Sequence, residues 1–195
     1  MSLVKTLLLA IALGATSAVA HAQGTIAFGN AALTRFHVRL ADGTERLATA
    51  EDNLLIGAFY GPAYSTTDSL VLAPGLAMIG PADGVMVNAP SVFPLPGTHP
   101  EQDITLQIRA WDAALGPDGW QQGRDNCAGR YYGETHALQF TLGLTTGPGV
   151  VIWARDSTGA NRFDPLSVAI CPEPSTLGLG TLGGLGWLVF LRRRK

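Results

Sequence analysis

Ile104-Thr105-Leu106-Gln107-Ile108-Arg109-Ala110-Trp111 alternates side chains over eight residues, with helical periodicity absent. Successive side chains of a strand point to opposite faces, so Ile104, Leu106, Ile108 and Ala110 share one face. Thr105, Gln107, Arg109 and Trp111 take the other, which places the Trp111 ring on the face away from the apolar core. The same period recurs outward from this stretch. Leu138, Phe140 and Leu142 alternate with polar neighbours, as do Phe36, Val38 and Leu40, and Leu166, Val168 and Ile170. Apolar runs at 54–60 and 150–154 read as buried strands, with shorter candidates at 25–29, 69–72 and 85–88.

Turn formers separate these runs at strand-like spacing: Asp42-Gly43, Gly61-Pro62, Pro74-Gly75, Asp83-Gly84, Pro96-Gly97, Pro117-Asp118-Gly119 and Gly147-Pro148-Gly149. Short strands with such punctuation predict an all-β fold, a single antiparallel β-sandwich of jelly-roll or immunoglobulin-like type over residues 23–171. The longest interval without a clear strand, 112–135, is expected to be an irregular excursion. The only helical hint lies at 45–55, where Leu47 and Leu54 would share a face.

Both ends of the chain read as address rather than fold. Lys5, an apolar stretch from Leu7 to Val19 and the small residues of Ala20-His21-Ala22 have the three parts of a secretory signal peptide at 1–22. At the other end, Pro172-Glu173-Pro174 is followed by an uncharged Leu/Gly-rich run and by Arg192-Arg193-Arg194-Lys195. Fifteen helical residues cover roughly 22 Å, against about 30 Å of bilayer hydrocarbon. Ser175 and Thr176 extend the predicted transmembrane helix to 175–191, and the arginines can snorkel at its end. Four consecutive basic residues orient it with the body outside and the tail in the cytoplasm.

Charge and cysteine usage narrow the partners. Residues 23–171 contain no lysine, and eight arginines face fourteen carboxylates, for a net charge of about −6. A body of that sign has no electrostatic case for nucleic acid. Cys127 and Cys171 meet an oxidising compartment after export, so one intramolecular disulfide between them is the expected pairing. Two free or intermolecularly paired thiols are the alternative. Closing that loop would stabilise the fold by about 4 kcal/mol in a chain-entropy treatment.

No residue pattern announces catalysis: G-x-S-x-G, H-E-x-x-H, the P-loop and the dinucleotide fingerprint are all missing from the sequence. His37, His99 and His136 are scattered, and a triad of His136, Asp112 and a serine has no motif behind it. We therefore expect no enzyme, catalytic residue, cofactor or metal, with a secreted hydrolase as the remote alternative. Asp112, Asp118, Asp125 and Glu134, and separately Asp156, Asn161 and Asp164, do not match the calcium-loop spacing and read as turn formers. Trp111, Trp120, Tyr131 and Tyr132 concentrate around the excursion and are candidate glycan contacts, since flat aromatic rings pack on sugar C–H faces. The competing reading makes Trp111 the cap of a satellite core beneath the excursion.

The tail resembles the PEP-CTERM sorting signal in its three ordered features: Pro172-Glu173-Pro174, the Leu/Gly helix and the basic end. The segments around Arg109-Ala110-Trp111-Asp112 and Thr141-Leu142-Gly143 loosely resemble the β-rich bodies that precede such tails. The resemblance implies processing by a membrane-embedded exosortase. Export would use Sec-type machinery and signal peptidase, with the precursor held in the inner membrane through its C-terminal helix. It also implies a non-enzymatic protein of the cell surface or extracellular matrix, associated with exopolysaccharide and biofilm. A glycan-binding ectodomain built on the aromatics at 111–132 is the alternative.

Overall fold

Strands β4 (Leu54–Pro62) and β9 (Asp103–Asp112) form the spine of the protein. They run antiparallel in unbroken register, from Leu54 opposite Asp112 to Pro62 opposite Ile104. The computed structural model describes residues 23–30, 34–89, 93–125, 129–143, 150–153, 163 and 165–171. The predicted signal peptide, the transmembrane helix at 175–191 and Cys127 lie outside the described residues. Among those described, no helix is long and apolar enough to cross a membrane.

The remaining strands are β1 (Thr25–Ala27), β2 (His37–Arg39), β3 (Glu45–Leu47), β5 (Val71–Leu72), β6 (Ala77–Ile79), β7 (Met86–Val87), β8 (Phe93–Pro94), β10 (Tyr131–Glu134), β11 (Leu138–Thr141), β12 (Val150–Val151) and β13 (Ser167–Ile170). The large sheet runs β3-β2-β13-β10-β9-β4-β6-β7, with β11 also pairing with β9 and β5 with β4. A three-stranded sheet, β12-β1-β8, contributes Ile26 and Phe93, and its flanks Phe28 and Leu95, to the same core as Ile56, Ala58, Ile104, Leu106 and Ile108 of the large sheet.

The regular structure of the described residues is thus mostly strand, as the alternation predicts, but it is not purely antiparallel. β1 pairs with β12 and β2 with β13 in parallel. Parallel neighbours need a long connection, and each of these pairs joins an early strand to a late one. The alternation of a strand sets which face is buried, not which partner lies beside it, so this mixture is invisible in the local pattern.

The expected helix at 45–55 is instead strand β3, a single 3-10 turn at Ala50–Asp52 and the start of β4. Asn53, at φ 50°, ends the turn in the left-handed region. Asp52 holds the corner. It accepts from the Thr49 amide at 2.7 Å and from Arg46 Nη1 at 2.7 Å. Burial opposes ionisation of Asp52, but the Arg46 fork and the Thr49 amide outweigh it and hold the carboxyl below its ordinary range.

A carboxyl with a depressed folded pKa stabilises the fold above its unfolded value of about 3.9 and loses that contribution as pH falls through the folded value. Asp52→Asn should therefore differ from the parent in urea unfolding at pH 6 and converge toward it below pH 4. A stability gap that stays constant down to pH 2 would contradict this account.

One departure from the predicted pattern governs the next level of structure. The polar face of β9 is not solvated. Thr105, Gln107, Arg109 and Trp111 are all essentially inaccessible. A second layer covers them, built from the β4–β5 connection, the 3-10 turns Thr67–Ser69 and Ala113–Leu115, and helix α1 (Trp120–Asp125). The interval 112–135, expected to be an irregular excursion, thus supplies part of this cover through Ala113–Leu115 and α1, and it returns to the large sheet as strand β10.

Candidate functional site: the covered face and the sorting junction

Trp111 is 0% exposed and packs with Phe59 and Leu70 in a satellite core, against Leu55, Leu72, Leu76, Leu115, Trp120 and Tyr132. Its Nε1 donates to the Gly116 carbonyl at 2.9 Å. Gly57 makes room for the ring: a Cβ there would lie 2.7 Å from Leu72 and 3.1 Å from Trp111. The expectation that Trp111 faces outward as a glycan contact is corrected by this burial. The ring caps the satellite core.

The other three aromatics are divided. Tyr131 and Tyr132 are consecutive in β10, so they point to opposite faces; Tyr131 packs on the main core and Tyr132 on the satellite core. Trp120 meets Phe59 edge-on at 4.8 Å, with the Arg109 guanidinium 4.5 Å and that of Arg124 5.6 Å from its ring centroid. The four rings do not share one surface.

Arg109 is the residue whose importance the alternation conceals. Fully buried, its guanidinium packs against the edge-on Phe59–Trp120 pair, 4.2 Å from the Phe59 ring centroid. Nε donates to Gln107 Oε1 at 2.8 Å and Nη2 to the Thr67 carbonyl at 2.6 Å. Gln107 Nε2 in turn donates to the Thr135 carbonyl at 2.8 Å. Glu134 supplies the nearest carboxylate, 3.7 Å from Nε, and accepts from the Tyr132 hydroxyl at 2.8 Å. Burial lowers the Arg109 pKa, and burial together with the Glu134 hydrogen bond raises that of Tyr132. The arrangement ties the cover to the sheet through one cation. An arginine placed between a glutamine and a tryptophan in an alternating strand is the only sequence signal of it.

Clefts on the described surface include two without aromatic pairs or metal ligands gathered in them. One, of about 250 Å³, is lined by Glu134, Thr135, His136, Pro165, Leu166 and Ser167. Its Ser167 hydroxyl donates to Glu45 at 3.3 Å rather than to His136. Asp112 does not join it: the Thr135 amide bonds to the Ile108 carbonyl, and Asp112 lies four residues farther along β9, about 13 Å away. Asp112 instead caps the turn at Ala113–Leu115 and approaches Arg130 at 3.6 Å. The other cleft, of about 200 Å³, has no charged residue in its lining; Tyr60, Ser69, Val71, Thr98 and Gln102 contribute to it.

Among the described residues no group of three or more His, Cys, Asp or Glu could hold a metal. Asp125 pairs with Arg124 at 3.1 Å, while Asp156, Asn161 and Asp164 lie outside the described residues.

The remaining predicted features converge on the end of β13. This strand lies inside the large sheet, between β2 and β10, and Val168 is 0% exposed. Pairing continues through Cys171, whose amide donates to the Arg130 carbonyl at 3.1 Å and whose carbonyl accepts from the Gly129 amide at 2.8 Å. Pro172 follows at once. Residues 171–195 match the family model of the PEP-CTERM protein-sorting motif. The chain carries a PEP-CTERM tail.

Tails of this kind mark proteins that are exported and anchored in the membrane before processing, and they imply an exosortase as the processing partner. No curated protein and no solved structure matches the chain. The matched residues Pro172, Glu173, Pro174, Arg192, Arg193, Arg194 and Lys195 lie outside the described residues. The match begins at Cys171, so motif and body meet without a spacer.

Proposed function

We propose that this is a non-enzymatic surface or matrix protein, delivered through its PEP-CTERM tail and acting in the exopolysaccharide of a biofilm. Sec-type export and signal-peptidase cleavage after Ala22 release the N-terminus. The helix at 175–191 holds the precursor in the inner membrane with Arg192–Lys195 in the cytoplasm, until an exosortase frees the folded body. That body is an all-β domain of sandwich type, closed by a disulfide from Cys127 to Cys171. The match at 171–195, abutting the last strand, carries the reading.

Deleting 172–195 is expected to convert a membrane-held precursor into freely released protein, measured by fractionation and immunoblotting. Unchanged distribution would overturn the sorting role. Non-reducing peptide mapping should recover Cys127 joined to Cys171. Cys171→Ser should then lower the unfolding free energy by about 2–4 kcal/mol. Alkylation of both thiols without prior reduction would refute the bridge.

Glycan binding by the body is the second reading, and the uncharged cleft favours it at a place other than the 111–132 aromatics. Tyr60 and Val71 offer apolar surface there, and Gln102 Nε2 has no bond among the described residues, its Oε1 being taken by the His99 amide at 2.8 Å. Neutral hydroxyl-bearing rings suit such a lining better than ionic ligands. Mature secreted protein on a glycan array should show binding that Gln102→Ala weakens; no binding to any glycan would leave the passive matrix role.

A further inference from the structure

We propose that the uncharged cleft is one subsite of a docking surface for neutral polysaccharide chains, and that Tyr64 beside it is the platform on which a further sugar ring packs. This rests on the glycan reading of that cleft and adds to it a recognition residue and the charge of the ligand. Tyr64 is 87% exposed, and it and Val71 are the exposed large hydrophobic side chains among the described residues. Both belong to the β4–β5 arm. Val71 lines the cleft and stands opposite Tyr60 in the strand register. Pro62 lines it too and opens the turn that carries Tyr64, closed by the Ser65 amide on the Pro62 carbonyl at 3.1 Å.

Backbone strain gathers at the same place. Tyr64, at φ 63°, is the third residue of its turn, where a positive φ favours glycine or asparagine. A bulky residue is costly there and persists only where its surroundings over-determine it. Here the Tyr64 amide donates to Gln139 Oε1 at 3.1 Å, and Gln139 Nε2 donates to the Thr105 hydroxyl, which itself donates to the Pro62 carbonyl. Glu101, at φ 58°, immediately precedes Gln102 of the lining and is held by its own amide on the Leu142 carbonyl at 3.2 Å. The other two non-glycine residues of positive φ among those described are Asn53 and Asn88, a type that tolerates it. The two costly ones both adjoin this cleft.

The ligand class follows from the lining. Hydroxyl, amide and apolar groups without charge match a sugar ring, whose C–H face packs on flat or aliphatic surface while its hydroxyls find polar partners. About 200 Å³ is the room of roughly six or seven waters at ~30 Å³ each, enough for one sugar unit and not for a chain. The rest of a polymer must then run outside the cleft, where an exposed ring is useful. Glu101 is exposed next to Gln102, and its carboxylate disfavours a uronate there.

The test compares the parent, Tyr64→Asn and Tyr64→Phe as mature secreted protein on an array of neutral and uronate-containing oligosaccharides, with urea midpoints measured in parallel. Asparagine keeps the left-handed backbone and removes the ring. Tyr64→Asn should therefore unfold at no lower urea concentration than the parent, yet bind neutral oligosaccharides about tenfold more weakly. Tyr64→Phe keeps the ring and should bind within about twofold of the parent. Binding that Gln102→Ala weakens and Tyr64→Asn leaves unchanged overturns the proposal while the cleft reading stands. Preference for uronate oligosaccharides overturns the ligand class, and no binding to any glycan overturns both readings. A dimer in sedimentation velocity that Tyr64→Asn dissociates gives the ring to a second copy of the chain, and overturns the proposal as well.

Discussion

Replacing Arg109 with alanine is expected to lower the unfolding free energy by about 3–4 kcal/mol. Three losses add up at this position. The guanidinium no longer fills the space against the Phe59–Trp120 pair, which leaves a cavity under α1. The cation–π contacts go with it, each worth about 0.5–2 kcal/mol. Gln107 Oε1 and the Thr67 carbonyl lose their donor inside the protein, where water does not replace it freely.

Arg109→Lys separates packing and fork from charge. A lysine keeps the cation but cannot donate in two fixed directions while packing a flat face on the ring pair, so it should recover less than half of the loss. Urea unfolding followed by circular dichroism and tryptophan fluorescence reads both variants. A loss below about 1 kcal/mol for alanine would show that the cover is held by its apolar contacts alone.

Val168→Asp is expected to prevent folding of the body altogether. Val168 is fully buried in an interior strand, opposite Val38, and lies against the backbone of Gly133. The approach is close enough that a Cβ at Gly133 would come within 2.9 Å of it. A carboxylate there has no cation beside it, and burying an unpaired charge costs more than the few kcal/mol by which most domains are stable. Ser167→Lys is the companion, since residue 167 is exposed on the same strand and its partner is Glu45. That change should leave stability within about 0.5 kcal/mol. Secreted yield, dispersion of the amide proton spectrum and resistance to protease distinguish the two. A folded, protease-resistant Val168→Asp protein would contradict the interior placement of β13.

These two positions also show where the sequence is legible. Alternation in β9 identifies the strand and assigns Ile104, Leu106 and Ile108 to the core, because period two is a local property. It does not reveal that Gln107 and Arg109 on the opposite face are buried, because their partners are the Thr135 and Thr67 carbonyls of distant segments. Trp111 follows the same logic. An aromatic on the polar face has two physical fates, exposure or a second core, and only the cover above it decides. The sorting tail was readable because its features are contiguous in sequence. The strand Leu166-Val168-Ile170 running up to that tail is readable too, but nothing local says that it will be an interior one.

The placement of β13 also sets a timetable. Within the large sheet, β2 and β3 reach the other strands through β13, so two early strands wait for a partner made some 130 residues later. Pairings of such sequence separation are slow, because a long loop must close before they stabilise anything. On the Sec-type route proposed above, a chain threaded outward from its N-terminus presents nearly all of the body before it presents the strand that joins its parts. When Cys171 emerges, the next segment to arrive is the sorting tail. Completion of the sheet and capture by the membrane are then nearly simultaneous events, and a body that fails to admit its last strand is still tethered when the failure shows.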